Sequence, residues 1–375
     1  MFSVQARSPY FEQLRTKIHD LGGMFNSHLH LDRAGTFDDK YFATAQLSLA
    51  ATDHISLHRK HALIANIHAG PGYEPEDLER RLRSVIETMI ELGTRRADTM
   101  VDVTSDRVQL NGLKLMLRLR EEYATQIDLR AASYTPLGFS EDKPEQWELY
   151  CEGAQIANFL GALPEADDRV DYPGNIGFME HCRRVLALSC EHGKMVHFHT
   201  DQRNDPRETG TEQVIEAVRR YGGPDCSRDD PLLWVIHMIS PSTYDEPRFE
   251  ALVEGLLECN IGLICCPSAA LGMRQMRPIN TPTYNSIPRV LELLAAGVKV
   301  RLASDNIADI CSPSTTADLV DELFVLSAAL RFYNTDVLAR LAAGVDITEK
   351  QRALIREHLA GNEEGIERAL QTYHV

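Results

Sequence analysis

The chain has 375 residues, of which 43% are hydrophobic and 25% charged, a composition typical of globular proteins and not of disordered or fibrous ones. Its formal net charge of -16 would repel a phosphate backbone, and no block of consecutive Lys or Arg offsets that charge, so we expect no nucleic-acid partner. The first 20 residues lack the apolar core of a signal peptide, and no later apolar run approaches the length of a bilayer span. We therefore expect a cytoplasmic protein that does not enter a membrane.

The cysteines give no sign of a disulfide framework. There are eight of them, scattered mostly within apolar segments and without Cys-x-x-Cys spacing: Cys151, Cys182, Cys190, Cys226, Cys259, Cys265, Cys266 and Cys311. Such a pattern favours reduced residues in the protein interior.

Short apolar, mostly β-rich runs recur eight times along the chain. They span residues 24–30, 98–104, 127–134, 154–160, 194–199, 232–238, 261–267 and 298–305. Between them lie amphipathic stretches at helical spacing, at residues 77–92, 108–123, 176–192, 210–221, 247–259 and 287–296. Strands and helices in this alternation predict an α/β protein, a (β/α)8 TIM barrel of about 250 residues plus insertions. A doubly wound open sheet shares the alternation, but it usually has fewer strands.

Two segments lie outside the bare barrel. Residues 31–76 form a long insertion after strand 1, partly helical around residues 56–67, which would lie over the strand ends as a lid. Residues 335–375 predict a helical C-terminal tail with helices at 337–343, 349–359 and 364–373. No strands precede residue 24, so we expect no flanking β-sandwich domain and interpret residues 1–375 as a single barrel domain. Barrels of this type often pair through exposed helix faces, which leaves a homo-oligomer open.

Metal-ligand residue types recur at the ends of the predicted strands. They are His28 and His30 in the first, His199 in the fifth, His237 in the sixth and Asp305 in the eighth. The strand period of two puts His28 and His30 on one face, within reach of a single ion. A core histidine or a helix-capping aspartate explains any one of these residues more often than a metal does. Because strand ends meet at one rim of a barrel, their joint placement nevertheless predicts one bound metal ion.

Around these residues the chain resembles the amidohydrolase superfamily, and most closely its cytosine deaminase branch. The segments that match are His30-Leu31-Asp32, Val101-Asp102-Val103-Thr104, Cys266-Pro267, and the run from Pro288 to Val298 that leads into Ser304-Asp305-Asn306. The resemblance covers nearly the whole barrel.

The resemblance implies a mononuclear site for one divalent ion. Its metal ligands would be His28, His30, His199 and Asp305. Zn2+ is the first choice, and Fe2+ and Mn2+ stay open because histidine and carboxylate ligands suit all three. As catalytic residues, Asp305 would handle protons and His237 would contact the activated water or the substrate. Glu165, just beyond the fourth strand, leaves a two-metal site as an alternative.

The position three residues after His199 departs from the family pattern. Chains like cytosine deaminase have a glutamate three residues after the fifth-strand histidine, which shuttles a proton to the substrate, and this chain has Gln202 there. An amide can hold a substrate by hydrogen bonds, but it has no titrating proton to transfer. Either Asp201 or Asp205 takes over the shuttle, or the reaction does not need it, or the site has lost its catalysis.

The substrate pocket is less well specified. The glutamine that reads the pyrimidine in this branch is absent after the third strand, where the chain has Tyr134 and Leu137, so we do not expect cytosine itself as the substrate. We assign substrate contacts to these two residues and to Asp102, Gln202 and Asn306.

Three functions remain open. The first is a metal-dependent hydrolase that cleaves a C–N bond in a small amide-like or cyclic nitrogen-containing substrate. The second is an aminohydrolase that releases ammonia from a nitrogen heterocycle. The third is a catalytically silent metal-binding barrel, which Gln202 in place of glutamate would explain. In each case the expected partner is a small molecule.

Overall fold

The computed structural model describes residues 7–41, 57–273 and 286–373 of the chain. Within them the predicted eight strands form one parallel sheet, in the order in which they occur in the sequence. The strands are β1 Met24–Leu29, β2 Thr94–Asp102, β3 Asp128–Tyr134, β4 Phe159–Ala162, β5 Val196–Thr200, β6 Leu233–His237, β7 Ile261–Cys265 and β8 Val300–Leu302.

The sheet closes on itself through the residue that follows β8. Asp305 forms a parallel bridge with Leu29 of β1. Its amide donates to the His28 carbonyl at 3.0 Å, and its carbonyl accepts from the His30 amide at 3.3 Å. The predicted (β/α)8 barrel is therefore confirmed, and the contact that closes it also fixes the backbone of three predicted metal ligands.

Helices separate the strands and cover the outside of the barrel. They are α1 Pro9–Asp20, α2 Leu57–Ala69, α3 Pro75–Glu91, α4 Asn111–Glu122, α5 Pro144–Ile156, α6 Phe178–His192, α7 Gly210–Tyr221, α8 Glu246–Glu258, α9 Pro267–Leu271, α10 Val290–Ala296, α11 Leu319–Leu330, α12 Thr335–Ala343 and α13 Glu349–Tyr373. Among the described residues, no helix is both long and apolar enough to cross a bilayer.

The interior of the barrel is packed. Tyr134, Phe159 and Trp234 fill it together with smaller apolar side chains. At the N-terminal end of the strands the Arg301 guanidinium lies 3.8 Å from the centre of the Trp234 ring, and 5.2 Å from that of Phe25. A cavity lies at the C-terminal ends of the strands, where barrels of this type carry their active sites.

Two sequence predictions were wrong in detail. The fourth strand was expected at residues 154–160, but Ala154 lies in the last turns of α5 and the strand begins only at Phe159. The run is mostly apolar although Gln155 and Ile156 are exposed at the end of the helix, so hydrophobicity alone does not separate the helix end from the strand. In the tail, the two helices expected at 349–359 and 364–373 form the single helix α13, which continues through Gly361.

The insertion after β1 is anchored to the barrel by buried polar contacts. Arg81 of α3 donates to the carbonyl oxygens of Asp32 and Ala34, at 3.0 and 2.6 Å, which holds the segment that follows the metal-ligand pair. The expected helix around 56–67 begins at Leu57 and extends to Ala69. Residues 42–56 of the insertion lie outside the described part of the chain.

Candidate metal centre

The nitrogens of three histidines converge at the C-terminal rim of the barrel. One ligand atom each of His28, His30 and His199 lies within 4.8 Å of the others, and all three side chains are buried. The Nε2 atoms of His28 and His199 are 3.1 Å apart. The Oδ1 atom of Asp305 is 3.4 Å from His30 Nε2 and 3.8 Å from His28 Nε2. Ligand atoms about 2.1 Å from one tetrahedral zinc ion lie about 3.4 Å from one another, so these spacings suit a single ion.

The protonation of these histidines also suits a metal. Burial and the neighbouring imidazoles lower the pKa of His28 well below its usual value, and burial beside His30 lowers the pKa of His199 to about 3. Both rings are therefore neutral at pH 7, as ligands must be. The Nδ1 of His199 lies 3.0 Å from the Ala162 carbonyl, to which only a protonated nitrogen can donate. That bond leaves the Nε2 lone pair of His199 facing the point of convergence.

Two buried polar atoms of the predicted site residues form no hydrogen bond with any residue that the structure describes. They are Asp305 Oδ1, which lies among the histidine nitrogens, and Nδ1 of His237. An unpartnered buried carboxylate oxygen is costly unless a cation or a donor satisfies it. The donor set and this orphaned oxygen together fit a divalent ion.

The backbone is strained where two of these residues leave their strands. His237 and Asp305 both have positive φ angles, 74° and 62°, in the left-handed region that non-glycine residues rarely adopt. Such strain is kept where the surrounding structure holds it, most often at functional sites. Here it accompanies a distance of 4.0 Å between His237 Nε2 and Asp305 Oδ2.

His30 has a second contact that bears on metal binding. A guanidinium nitrogen of Arg33 donates to its Nδ1, which leaves the proton of the neutral ring on Nε2, on the side of Asp305. Ligation through Nε2 therefore requires this proton to leave or the Arg33 contact to shift. Arg33 is buried, and its Nε lies 3.8 Å from Asp102 Oδ2.

Behind β1 and β2 lies a buried charged network centred on His68. Its Nε2 is 3.0 Å from Asp102 Oδ2, and its Nδ1 is 2.8 Å from Asp106 Oδ2. Both carboxylates outweigh the effect of burial and raise the pKa of His68 to about 9. Tyr73 completes the network, with its hydroxyl 2.7 Å from Asp32 Oδ2 and 3.1 Å from Asp102 Oδ2.

Comparison with known proteins gives distant relatives in sequence. No family model matches the chain. It is 26% identical over 284 residues to an uncharacterised protein of Haemophilus influenzae, an alignment that covers 75% of this chain and 94% of that protein. It is 21% identical over 280 residues to a pterin deaminase of Rhizobium rhizogenes, with 75% of this chain and 60% of the relative covered.

Solved structures share the barrel more extensively. A 5-methylcytosine deaminase from Klebsiella pneumoniae, liganded with 5-fluorocytosine, has a TM-score of 0.72 at 22% identity over 88% of this chain and 74% of its own. The chain shares the barrel fold of this enzyme. An N-isopropylammelide isopropylaminohydrolase from Burkholderia multivorans has a TM-score of 0.63 at 17% identity, covering 86% and 73% of the two chains. For a zinc complex of an atrazine chlorohydrolase from Arthrobacter aurescens the TM-score is 0.54 at 15% identity, covering 86% and 69%. The resemblance to the amidohydrolase superfamily is thus confirmed at the level of the fold.

In this barrel the cavity over the histidines is lined by both polar and apolar residues. The residues that line it are His30, Arg33, His61, Tyr134, His199, Gln202, His237, Ala269, Met273, Asp305, Asn306, Cys311 and Ser312. Of the residues that we assigned to the substrate, Tyr134, Gln202 and Asn306 are in this lining. Asp102 belongs to the His68 network instead, and Leu137 is 38% exposed and outside the lining.

Sequence reasoning did not assign His61, Cys311 or Ser312 to the cavity. The signal for His61 was its position in an insertion expected to cover the site, because α2 brings it over the strand ends.

Glu165, considered as a bridge between two metal ions, instead accepts from the Asp201 amide at 2.6 Å and from Gln202 Nε2 at 3.1 Å.

The two aspartates considered as replacement proton shuttles are engaged elsewhere. Both carboxylate oxygens of Asp201 accept from the first backbone amides of α7, at 2.7 and 2.8 Å. Asp205 pairs with Arg207, a side chain that is 78% exposed. Neither aspartate is part of the cavity lining over the histidines.

Proposed function

We propose that the protein is a metal-dependent hydrolase that breaks a C–N bond in a small nitrogen heterocycle or cyclic amide. The observation that carries this proposal is the convergence of three neutral histidines and an unpartnered carboxylate oxygen at the open end of the barrel. The comparisons support it, because the named relatives and structures are deaminases and hydrolases of nitrogen heterocycles.

We further propose that His28, His30, His199 and Asp305 bind one divalent ion, with zinc preferred over iron or manganese. Three histidines and one carboxylate are a donor set that zinc accepts, and one solved structure with this fold is a zinc complex. When bound, the ion would act as a Lewis acid that makes water nucleophilic near neutral pH.

The proton transfers are then assigned to two side chains. Asp305, which lines the cavity, would accept the proton of the attacking water and return it to the leaving nitrogen. His237, 4.0 Å from Asp305, would steer the water and donate to the negative charge that develops on the substrate. Burial lowers the pKa of His237 to about 4, so it would act as a neutral donor.

Two kinds of product remain to be separated. The relatives favour release of an exocyclic amine or ammonia. Opening of a cyclic amide is the second candidate, and it is favoured by Gln202, because amide hydrolysis needs no glutamate to protonate a ring nitrogen. The substrate contacts that we propose are Tyr134, Gln202 and Asn306. The cytoplasmic location, the single domain and the homo-oligomer stay predictions.

The test combines metal content with product analysis. We expect about one equivalent of metal per chain in the wild-type protein, and less than a tenth of that in His28→Ala and Asp305→Ala, because each change removes a ligand from a site of four. His181→Gln is the matched control, since His181 is buried against Asp167, away from the cavity lining. Retained metal in the two ligand variants would refute the assignment. A metal-loaded protein without turnover on aminated heterocycles and cyclic amides would refute the proposed activity.

A further inference from the structure

Gln202, the residue that departs from the family pattern, is held by a specific partner. It follows β5, is only 5% exposed, and lines the cavity together with His199 and Asp305. Its amide nitrogen donates to Glu165 Oε2 at 3.1 Å, and the other oxygen of Glu165 accepts from the Asp201 amide at 2.6 Å. Both oxygens of Glu165 are therefore used as acceptors.

This contact fixes which way the Gln202 amide is turned. A carboxylate only accepts hydrogen bonds, so the NH2 group of Gln202 must face Glu165 and the carbonyl oxygen must point elsewhere. That oxygen, Oε1, accepts no hydrogen bond from any residue in the parts of the chain that the structure describes. Because Gln202 lines the cavity, a substrate bound there can supply a donor to this oxygen.

We propose that Glu165 is a positioning residue that presents the Gln202 carbonyl oxygen to the substrate, so that the site selects rings with an N–H next to the reacting carbon. This inference rests on the proposed function. Rings of the 2-amino-4-oxo type and cyclic amides have such an N–H. Rings with an amine at position 4 of a pyrimidine or position 6 of a purine present a bare nitrogen instead, whose lone pair would face the Gln202 oxygen.

The loss of activity toward a ring without this N–H follows from one mismatched polar contact with the Gln202 oxygen. An acceptor that the bound ring covers without giving it a donor is unfavourable by about 1–3 kcal/mol, which corresponds to about a 5- to 150-fold loss in kcat/KM. A glutamate at position 202 would have the opposite preference when protonated, because it could donate to the bare nitrogen.

Isocytosine and cytosine make a matched pair of probes. They contain the same atoms and both give uracil and ammonia, but the carbon that bears the amine is flanked by a ring N–H only in isocytosine. Pterin against adenine repeats the comparison with larger rings, and dihydrouracil represents the cyclic amides. Desolvation and Asp201 raise the pKa of Glu165 to about 7, so assays of the zinc-loaded enzyme at pH 8 keep its carboxylate ionised.

We expect kcat/KM to be at least about 10-fold higher for the rings with the adjacent N–H. Equal or faster turnover of cytosine or adenine would overturn the inference while leaving the proposed hydrolase intact. Absence of turnover on all five compounds in a metal-loaded protein would overturn the proposed function, and the inference with it.

Three variants test the residues themselves. Gln202→Glu is expected to reverse the preference toward cytosine, and Glu165→Gln to reduce it to less than a third, because an amide at 165 no longer dictates how Gln202 is turned. Glu208→Gln is the control, since Glu208 is a half-buried carboxylate that accepts from the Arg203 amide and does not contact Gln202. A Glu165→Gln variant with normal metal content, normal melting temperature and unchanged preference would refute the positioning role. An equal change of preference in Glu208→Gln would refute it as well.

Discussion

Replacing His68 with glutamine should destabilise the protein in a way that depends on pH. His68 of α2 is fully buried between Asp102 and Asp106, and both carboxylates lie within 3.0 Å of its ring nitrogens. The folded protein therefore binds a proton at His68 more tightly than the unfolded chain does. The pKa rises from 6.5 to about 9 on folding.

The size of the effect follows from that shift. Each pKa unit corresponds to about 1.4 kcal/mol, so the shift is equivalent to about 3 kcal/mol, and partial solvation of Asp106 reduces this to about 2–3 kcal/mol. For a group whose pKa is raised on folding, this stabilisation is complete below pH 6.5 and is lost as the pH rises through about 9. Glutamine keeps a hydrogen-bond donor at position 68 but has no charge.

Urea unfolding of wild-type protein and of His68→Gln at pH 6 and pH 10 measures this directly. We expect the difference in unfolding free energy between the two proteins to be about 2–3 kcal/mol larger at pH 6 than at pH 10. Asp106→Asn should show part of the same pH dependence, because it removes one of the two carboxylates that hold the proton. A His68→Gln deficit of the same size at both pH values would show that the charge of His68 does not stabilise the fold.

Two other substitutions test how the barrel rim is built. An alanine at Gly161 of β4 would place its Cβ 2.9 Å from the Tyr134 Cβ and closer still to Met100. We therefore expect thermal unfolding to show a free energy of unfolding lower by about 1–3 kcal/mol. We also expect lower activity, because the Tyr134 ring would shift against His199. Asp201→Asn should lower the free energy of unfolding by about 1–2 kcal/mol, because it removes a negative charge from the start of α7. It should leave the substrate preference unchanged. An altered preference would contradict our assignment of Asp201 to that helix.

The sequence predicted the structure well where a segment forms a single helix or strand with one hydrophobic periodicity. The amphipathic stretch at 210–221 matches α7 Gly210–Tyr221, and the alternation at residues 28 and 30 correctly placed both imidazoles on the same side. It failed at residues 154–160, where the end of α5 and the start of β4 lie within one mostly apolar segment. The periodicity of hydrophobic residues indicates which face of a segment is buried. It does not mark the residue at which one buried element ends and the next begins.

The partners of the site residues were harder to foresee than the residues themselves. The predicted strand boundaries alone place these metal-ligand residue types at strand ends. His28, His30 and His199 do converge in the structure. The contact between Glu165 and Gln202 joins two loops whose conformations no local pattern predicts. We assigned Asp102 to the substrate, but it forms a hydrogen bond with His68, which lies 34 positions away in the insertion.

A single strand and the turn that follows it account for most of the difference between this site and the family pattern. Alternation along β5 puts His197 one layer below the rim, where its Nδ1 lies 3.2 Å from His28 Nδ1, and puts His199 at the rim itself. The chain then turns at Asp201, which has a positive φ of 57°. That turn directs the Asp201 carboxylate to the start of α7 and leaves Gln202 in the cavity. Because the carboxylate closest in sequence to the histidine is committed to a helix, the proposed function assigns the proton transfers to Asp305 and the recognition of the ring to the amide of Gln202.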